Sequence, residues 1–296
     1  MAVGPLEERV GGATGTSARA LWRRAFVRNR VALAGLVLFA GIVLATLGAP
    51  LVTSVDPIDQ DVTYRLKPPT AAHPLGTDQF GRDILARLLY GARTTLAIAL
   101  SANLAAMAVG TMIGLVAGYA GGRLDVALMQ AMEALLALPA LILGLFLVAV
   151  LGPSAANMSG AIALTLVPAY ARVARAPTIA IKEREYVTSG RALGFSDARL
   201  IFGHILPNVC PEVLAVTSLW MASAVRVEAS LAFIGLGVRP PAPTWGGMIR
   251  DGFEHVFEGP YLVVFPGLAI LLLVFALNLM GDGLRDASDP KLRAQG

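Results

Sequence analysis

Long stretches without a charged residue are the feature that most constrains this chain. Val31–Val55 and Thr94–Gly122 contain no Asp, Glu, Lys or Arg. At about 1.5 Å per residue in a helix, each stretch is long enough to cross a hydrocarbon core of roughly 30 Å. Only 15% of all residues are charged, whereas a soluble domain carries about 25%. The sequence therefore predicts an all-α integral membrane protein.

Apolar runs predict six transmembrane helices, at about 31–55, 94–122, 126–151, 161–178, 209–236 and 261–281. Sixteen Lys and Arg residues fall on one side of this map, and seven fall in the two long connections on the other side. Because positive residues are retained in the cytoplasm, both termini are predicted to be cytoplasmic. The predicted segments are a cytoplasmic tail (1–30), a first span (31–55), an outer connection with a surface helix (56–93), a five-helix core (94–283) with a cytoplasmic loop (182–207), and a cytoplasmic tail (284–296).

The cytoplasmic loop is the one long segment that is both charged and flanked by apolar spans. Arg184–Asn208 reads R-E-Y-V-T-S-G-R-A-L-G-F-S-D-A-R-L-I-F-G-H-I-L-P-N. A helix over about 182–193 is expected to end at Gly194 in a left-handed cap, and Ser196 is expected to cap a second short helix. Pro207 marks the entry to the next span. Such a helix–turn–helix either docks a partner or is an ordinary solvated loop.

Several polar residues elsewhere are candidates for contacts. Arg226 and Glu228 lie within the fifth span. Residues two apart on a helix do not face each other, so these two do not form a simple ion pair. One or both are therefore predicted to face a pathway or a partner subunit. Arg82 and Asp83 begin the surface helix and are candidates for docking on the outer side, as is Trp245. Trp245 alternatively anchors the chain at the membrane interface.

Catalytic motifs are missing from the sequence. No glycine precedes any of the three lysines, so the chain has no G-x-x-x-x-G-K-[ST] phosphate loop. All three histidines lie outside the predicted spans, and a lone Cys210 excludes a cysteine-rich metal site. We expect no metal site, no cofactor bound by this chain and no nucleic-acid partner. A non-enzymatic membrane protein with a docking loop suggests a transport pathway powered by another chain.

The loop resembles the EAA loop in permease subunits of binding-protein-dependent ABC importers. That pattern is E-A-A, three residues, G, nine residues, I-x-L-P. Thr188, Ser189 and Gly190 occupy the E-A-A positions, Gly194 the glycine, and Leu206-Pro207 the end. The segments 73–93, 185–194, 204–209, 228–238, 240–246 and 281–293 resemble, in order, the C-type subunit of dipeptide and oligopeptide permeases.

This resemblance implies a type I ABC importer permease fold in the bacterial inner membrane. It implies a B-type permease partner, two ABC ATPase subunits that use ATP and Mg, and an extracytoplasmic substrate-binding protein. The residues implied to couple to an ATPase are Glu185, Tyr186, Thr188, Ser189, Gly190, Arg191, Ala192, Leu193 and Gly194. The expected cargo is di- or oligopeptides. A permease for nickel or another small solute is the alternative within the family, and a self-standing channel or membrane enzyme is the alternative outside it.

Overall fold

The computed structural model describes residues 29–288, which form a helical bundle without a β-strand in that range. The α-helices are α1 (Arg30–Leu47), α2 (Ala49–Val52), α3 (Ile84–Ala120), α4 (Gly122–Leu136), α5 (Ala140–Leu151), α6 (Ala155–Lys182), α7 (Glu185–Ala192), α8 (Asp197–Leu200), α9 (Leu206–Leu231), α10 (Trp245–Phe253) and α11 (Tyr261–Ser288). A short 3₁₀ helix spans Val62–Tyr64, and π-helical turns at Ile201–Ile205 and Ala232–Leu236 flank α9.

Four helical stretches of the described chain are long and apolar enough to span a membrane: Arg30–Leu47, Ile84–Ala120, Asp197–Leu236 and Tyr261–Asp286. A fifth is possible if α4 and α5 form one span, although they are bent by 88° at the break before α5. Pro139 occupies the N-cap position of α5 at this break and has no N–H to continue a helical ladder. The all-helical class and the apolar spans are therefore confirmed, whereas the full set of six is not.

Helices α3 and α6 form the centre of the bundle and approach each other closely. Gly110, Gly114 and Gly118 lie one turn apart on the face of α3 that meets α6. A Cβ atom on Gly114 would lie 2.3 Å from the carbonyl oxygen of Ala171. Small residues at such positions allow two backbones to come together in lipid, where burial of apolar surface does not drive association.

Buried hydrogen bonds join α3, α6 and α9 within this centre. The Tyr170 hydroxyl donates to Oδ1 of Asn103 over 2.9 Å, and Nδ2 of Asn103 donates to the carbonyl of Thr217 over 3.2 Å. Each group would be costly to leave unpaired in an apolar interior, so the three helices are held in one relative register.

The bundle has two ends, which we name by the predicted topology. The inner end carries residues 183–196, and the outer end carries residues 53–83 and 237–260. Nδ2 of Asn29, the N-cap of α1, donates to Oδ2 of Asp286 in α11 over 3.2 Å. The described chain therefore begins and finishes at the inner end. Residues 1–28 and 289–296, in the two predicted tails, lie outside the described residues.

Several predicted boundaries differ from those in the structure. The first span is predicted to end at Val55, whereas α1 ends at Leu47. The surface helix and the second span form one helix, α3. At the predicted boundary, the Arg93 guanidinium donates to the carbonyls of Thr46 and Leu47 over 3.0 and 3.1 Å. The helix predicted over 182–193 is interrupted, since α6 ends at Lys182 and α7 begins at Glu185. The last span continues past 281 to Ser288, into the segment predicted as a tail.

Candidate functional sites at the two ends of the bundle

The inner loop has the helix caps that its sequence predicts. Gly194 follows α7 with φ +83°, a conformation that L side chains rarely adopt, and the N–H of Phe195 donates to the Gly190 carbonyl over 3.0 Å. Oγ of Ser196 then accepts a hydrogen bond from the Arg199 N–H and caps α8. The chain thus reverses direction between two short helices and re-enters the bundle at Pro207.

Most of the predicted coupling residues are accessible on this loop. Val187 and Gly190 are buried, and a Cβ atom on Gly190 would lie 3.1 Å from side-chain carbons of Leu200 and Phe195. Two large apolar side chains are exposed, Leu193 by 76% and Tyr186 by 46%. The remaining predicted coupling residues are also exposed: Glu185, Thr188, Ser189, Arg191, Ala192 and Gly194. The loop therefore presents a mixed apolar and charged surface that can bind a partner.

Polar contacts connect the inner loop to the end of α3. The Tyr119 hydroxyl donates a hydrogen bond to Oδ1 of Asp197, and the Arg191 guanidinium lies 5.5 Å from the Tyr119 ring centroid. The nearby Arg175 guanidinium makes two hydrogen bonds of 2.6 Å with the Asp125 carboxylate, which link α6 to α4. The inner loop is therefore in contact with α3 through Tyr119.

Buried charges hold the outer end together. Asp78 accepts a hydrogen bond from the backbone N–H of Arg82 and another, of 2.6 Å, from Nε of the Arg82 side chain. Oδ2 of Asp78 also lies 3.4 Å from Nε of Arg87. Asp251 in α10 lies 3.5 Å from Arg82 and 3.8 Å from Arg87. Burial raises the pKa of Asp251, while the two guanidinium groups oppose that shift. This network joins the outer connection before α3 to α10.

The predicted docking residues at the outer end are buried in this chain. Arg82, Asp83 and Trp245 are each 3% exposed. Asp83 caps α3 through a 2.7 Å bond from the Ala86 N–H and also contacts Nδ1 of His73 at 2.8 Å. Nε1 of Trp245 donates to a carbonyl in α3, so this residue does not act as an interfacial anchor. These side chains shape the outer end from within, because their polar groups are used inside the chain.

The predicted pathway residues are placed differently from one another. Arg226 is exposed and donates to Oγ of Ser223 over 2.8 Å, whereas Glu228 is 0% exposed. As expected, the two do not pair. Glu228 is enclosed by this chain alone, so in this conformation it does not lie on a surface facing a pathway.

Sequence reasoning missed Asp78, Arg87 and Asp251 at the outer end and Tyr119 at the inner end. Two of the contacts join residues far apart in sequence: Arg82 and Asp251 are 169 residues apart, and Tyr119 and Asp197 are 78 apart. The charges within D-Q-F-G-R-D, directly before a long apolar run, were the available signal for the outer cluster.

Comparison with known proteins identifies the class to which this bundle belongs. The inward-facing MetNI methionine ABC transporter has a similar fold, with a TM-score of 0.53 over 68% of this chain and 96% of the matched chain, at 17% identity. The bundle thus has the fold of an ABC transporter's membrane component.

The family follows from the sequence matches. Residues 110–294 match the binding-protein-dependent transport system inner membrane component, and residues 17–69 match the N-terminal TM domain of oligopeptide transport permease C. The chain belongs to the family of binding-protein-dependent transport system inner membrane components.

Relatives from several bacteria match almost the full chain. The dipeptide transport system permease DppC of Alkalihalophilus pseudofirmus is 39% identical over 92% of this chain and 91% of its own length. The di/tripeptide permease DppC of Pseudomonas aeruginosa is 42% identical over 91% of each chain. The glutathione transport system permease GsiD of Pectobacterium atrosepticum is 38% identical over 93% of this chain and 92% of its own.

Proposed function

We propose that this chain is a permease subunit of an ATP-driven importer and forms, with a B-type permease, the membrane pathway for di- and oligopeptides. The observation that carries this proposal is the exposed inner loop Glu185–Gly194 on a fold of the ABC transporter class. The chain itself is not catalytic. ATP and Mg are used by two separate ABC ATPase subunits, and an extracytoplasmic binding protein delivers the cargo.

Peptides are favoured as cargo by the relatives. The proteins that match over nine-tenths of the chain are named as transporters of dipeptides, di/tripeptides and glutathione, which is itself a tripeptide. These cargoes share a peptide bond and a free carboxylate, although they differ in their side chains. We infer that the present chain serves the same chemical class.

In the proposed topology, α6 is the fourth of the six spans and the inner end faces the cytoplasm. With 28 residues, α6 is about 42 Å long, which exceeds a hydrocarbon core of roughly 30 Å. It carries Arg172, Arg175 and Lys182 towards its inner end, and other helices cover most of its length. The contact between Asn29 and Asp286 supports a common side for both termini.

Coupling in this proposal is a rigid-body motion. Closure of the ATPase pair pushes on α7, whose exposed Tyr186 and Leu193 provide the contact. The push travels directly into α6 and, through Tyr119, into α3. The pathway lies between the two permeases, where exposed Arg226 is a candidate lining residue and Glu228 becomes one only if α9 moves.

Co-expression with the partner subunits tests the proposal. Leu193→Asp places a charge on the proposed ATPase contact, where the wild-type side chain is 76% exposed. Val62→Asp is the control, because Val62 lies at the outer end and is 78% exposed. We expect tagged Leu193→Asp to retain the B-type permease but lose the ATPase subunits during purification. Val62→Asp is expected to retain both.

Uptake of a radiolabelled dipeptide into proteoliposomes containing the wild-type complex tests the cargo. ATP-dependent accumulation supports the assignment. Failure of wild-type chain to co-purify with a B-type permease and ATPases contradicts the permease assignment. Accumulation of Ni²⁺ without any dipeptide contradicts the cargo assignment alone.

A further inference from the structure

A small cavity opens at the outer end and is unusually rich in arginine. It has a volume of about 90 Å³ and lies between α10, the loop after α9 and the turn at Pro153. Its charged lining residues are Arg82, Arg87, Arg239, Arg250 and Asp251. Four cations and one anion therefore converge on a space large enough to hold water or a small polar group.

Two of these arginines are already neutralised. Arg82 and Arg87 are 3% and 4% exposed, and both contact the carboxylates of Asp78 and Asp251 at distances between 2.6 and 3.8 Å. Two guanidinium groups thus face two carboxylates. This part of the lining forms a rigid, charge-balanced wall.

The other two arginines supply an excess of positive charge. Within residues 29–288, neither Arg239 nor Arg250 has a side-chain hydrogen bond or an ion pair within 4 Å. Arg250 lies against Gly235, where an added Cβ atom would be 2.9 Å from the guanidinium carbon. Gly235 also has φ +98°, so the backbone at this point both requires glycine and leaves room for the Arg250 side chain.

A guanidinium group is planar and presents paired N–H donors that match the two oxygens of a carboxylate. The cavity volume admits such a terminal group. We propose that this cavity binds the C-terminal carboxylate of the transported peptide, held by Arg250 and Arg239 at the outer mouth of the pathway. This inference rests on the proposed peptide-import function and adds to it a site on the permease itself.

Binding of dialanine and its C-terminal amide to the complete transporter complex in lipid nanodiscs, without the binding protein, tests the site. The variant Arg250→Gln removes the charge and keeps a polar side chain. Arg65→Gln is the control, because Arg65 is an exposed outer arginine that does not line the cavity. We expect dialanine to bind Arg250→Gln at least about tenfold more weakly than wild type or Arg65→Gln, as loss of a charged hydrogen bond predicts. The amide is expected to bind wild type and Arg250→Gln equally weakly.

Three results would overturn the proposal. They are equal binding of dialanine and its amide to wild type, unchanged dialanine affinity in Arg250→Gln, and a loss of affinity for the binding protein with dialanine affinity unchanged. The third result would assign the cavity to an acidic side chain of the binding protein. If Arg250→Gln does not assemble, Arg239→Gln on the exposed loop is measured with the same expectations. Because wild-type assembly and dipeptide uptake are measured separately, failure of this site is distinguishable from failure of the proposed function.

Discussion

Replacing Gly114 with alanine tests the close approach of α3 and α6, on which the whole bundle depends. The new Cβ atom would lie 2.3 Å from the Ala171 carbonyl oxygen and 2.8 Å from Cβ of Ala174. A carbon–oxygen contact of this kind needs about 3.3 Å, so the two helices must separate locally by about 1 Å.

The expected loss of stability combines two opposing effects. Inserting a methyl group into a closely packed interface costs about 1–3 kcal/mol. Alanine in a helix interior regains about 0.5–1 kcal/mol relative to glycine. The net loss is therefore about 0–2.5 kcal/mol, and at about 2–4 °C per kcal/mol Tm falls by up to roughly 10 °C.

Tryptophan fluorescence during heating of the detergent-purified protein measures this change. Gly160→Ala is the matched control, because Gly160 lies in α6 and a Cβ atom added there meets nothing within 4 Å. We expect Gly160→Ala to leave Tm unchanged or raise it slightly. A Gly114→Ala variant with the same Tm as Gly160→Ala would refute the close contact and the central role assigned to it.

Three further substitutions test the two ends of the bundle. Asp83→Ala removes the cap of α3 and the partner of His73, and is expected to lower the stability measured by thermal unfolding by about 1–2 kcal/mol. An unchanged Tm would contradict the role of Asp83 as a helix cap. Tyr119→Phe removes only the hydroxyl that bonds Asp197, a loss of about 0.5–1.5 kcal/mol of stability. In proteoliposomes it is expected to lower the amount of peptide transported per ATP hydrolysed. An unchanged ratio would exclude this contact from coupling. Gly194→Val forces a β-branched residue to φ +83°, which costs about 1–2 kcal/mol of backbone strain. The variant is expected to insert in the membrane but to uncouple ATP hydrolysis from uptake. Wild-type uptake would refute a coupling role.

Local chemistry made the inner loop predictable from sequence. A glycine, a capping serine and a proline occur at Gly194, Ser196 and Pro207, and each specifies its backbone conformation with little help from the rest of the fold. Exposure followed from the same pattern, because the loop is too polar to be buried in the bundle. The first, second and last spans were likewise evident from their lack of charge.

The outer end was less predictable because distant contacts determine it. Arg82 was a candidate for docking on the outer side, yet it lies in the interior, where it contacts Asp78 and a residue 169 positions away. Trp245 was expected at an interface because its ring is amphipathic, but it finds its acceptor in α3, 157 positions away. The charge of Arg93 suggested a boundary between a surface helix and a span, whereas its side chain reaches sideways to α1 and the helix continues.

Helix α3 is a single uninterrupted element of 37 residues, about 55 Å long, with Asp83 at its outer cap and Tyr119 at its inner end. A helix of this kind transmits displacement in both directions. Any ligand that favours one position of α3 from the outside changes the affinity of an inner partner by some factor, and by thermodynamic linkage that partner changes the ligand's affinity by the same factor. For binding affinities, the coupling between an outer ligand and an inner partner of this chain therefore has one value, whichever end of the bundle it is measured from.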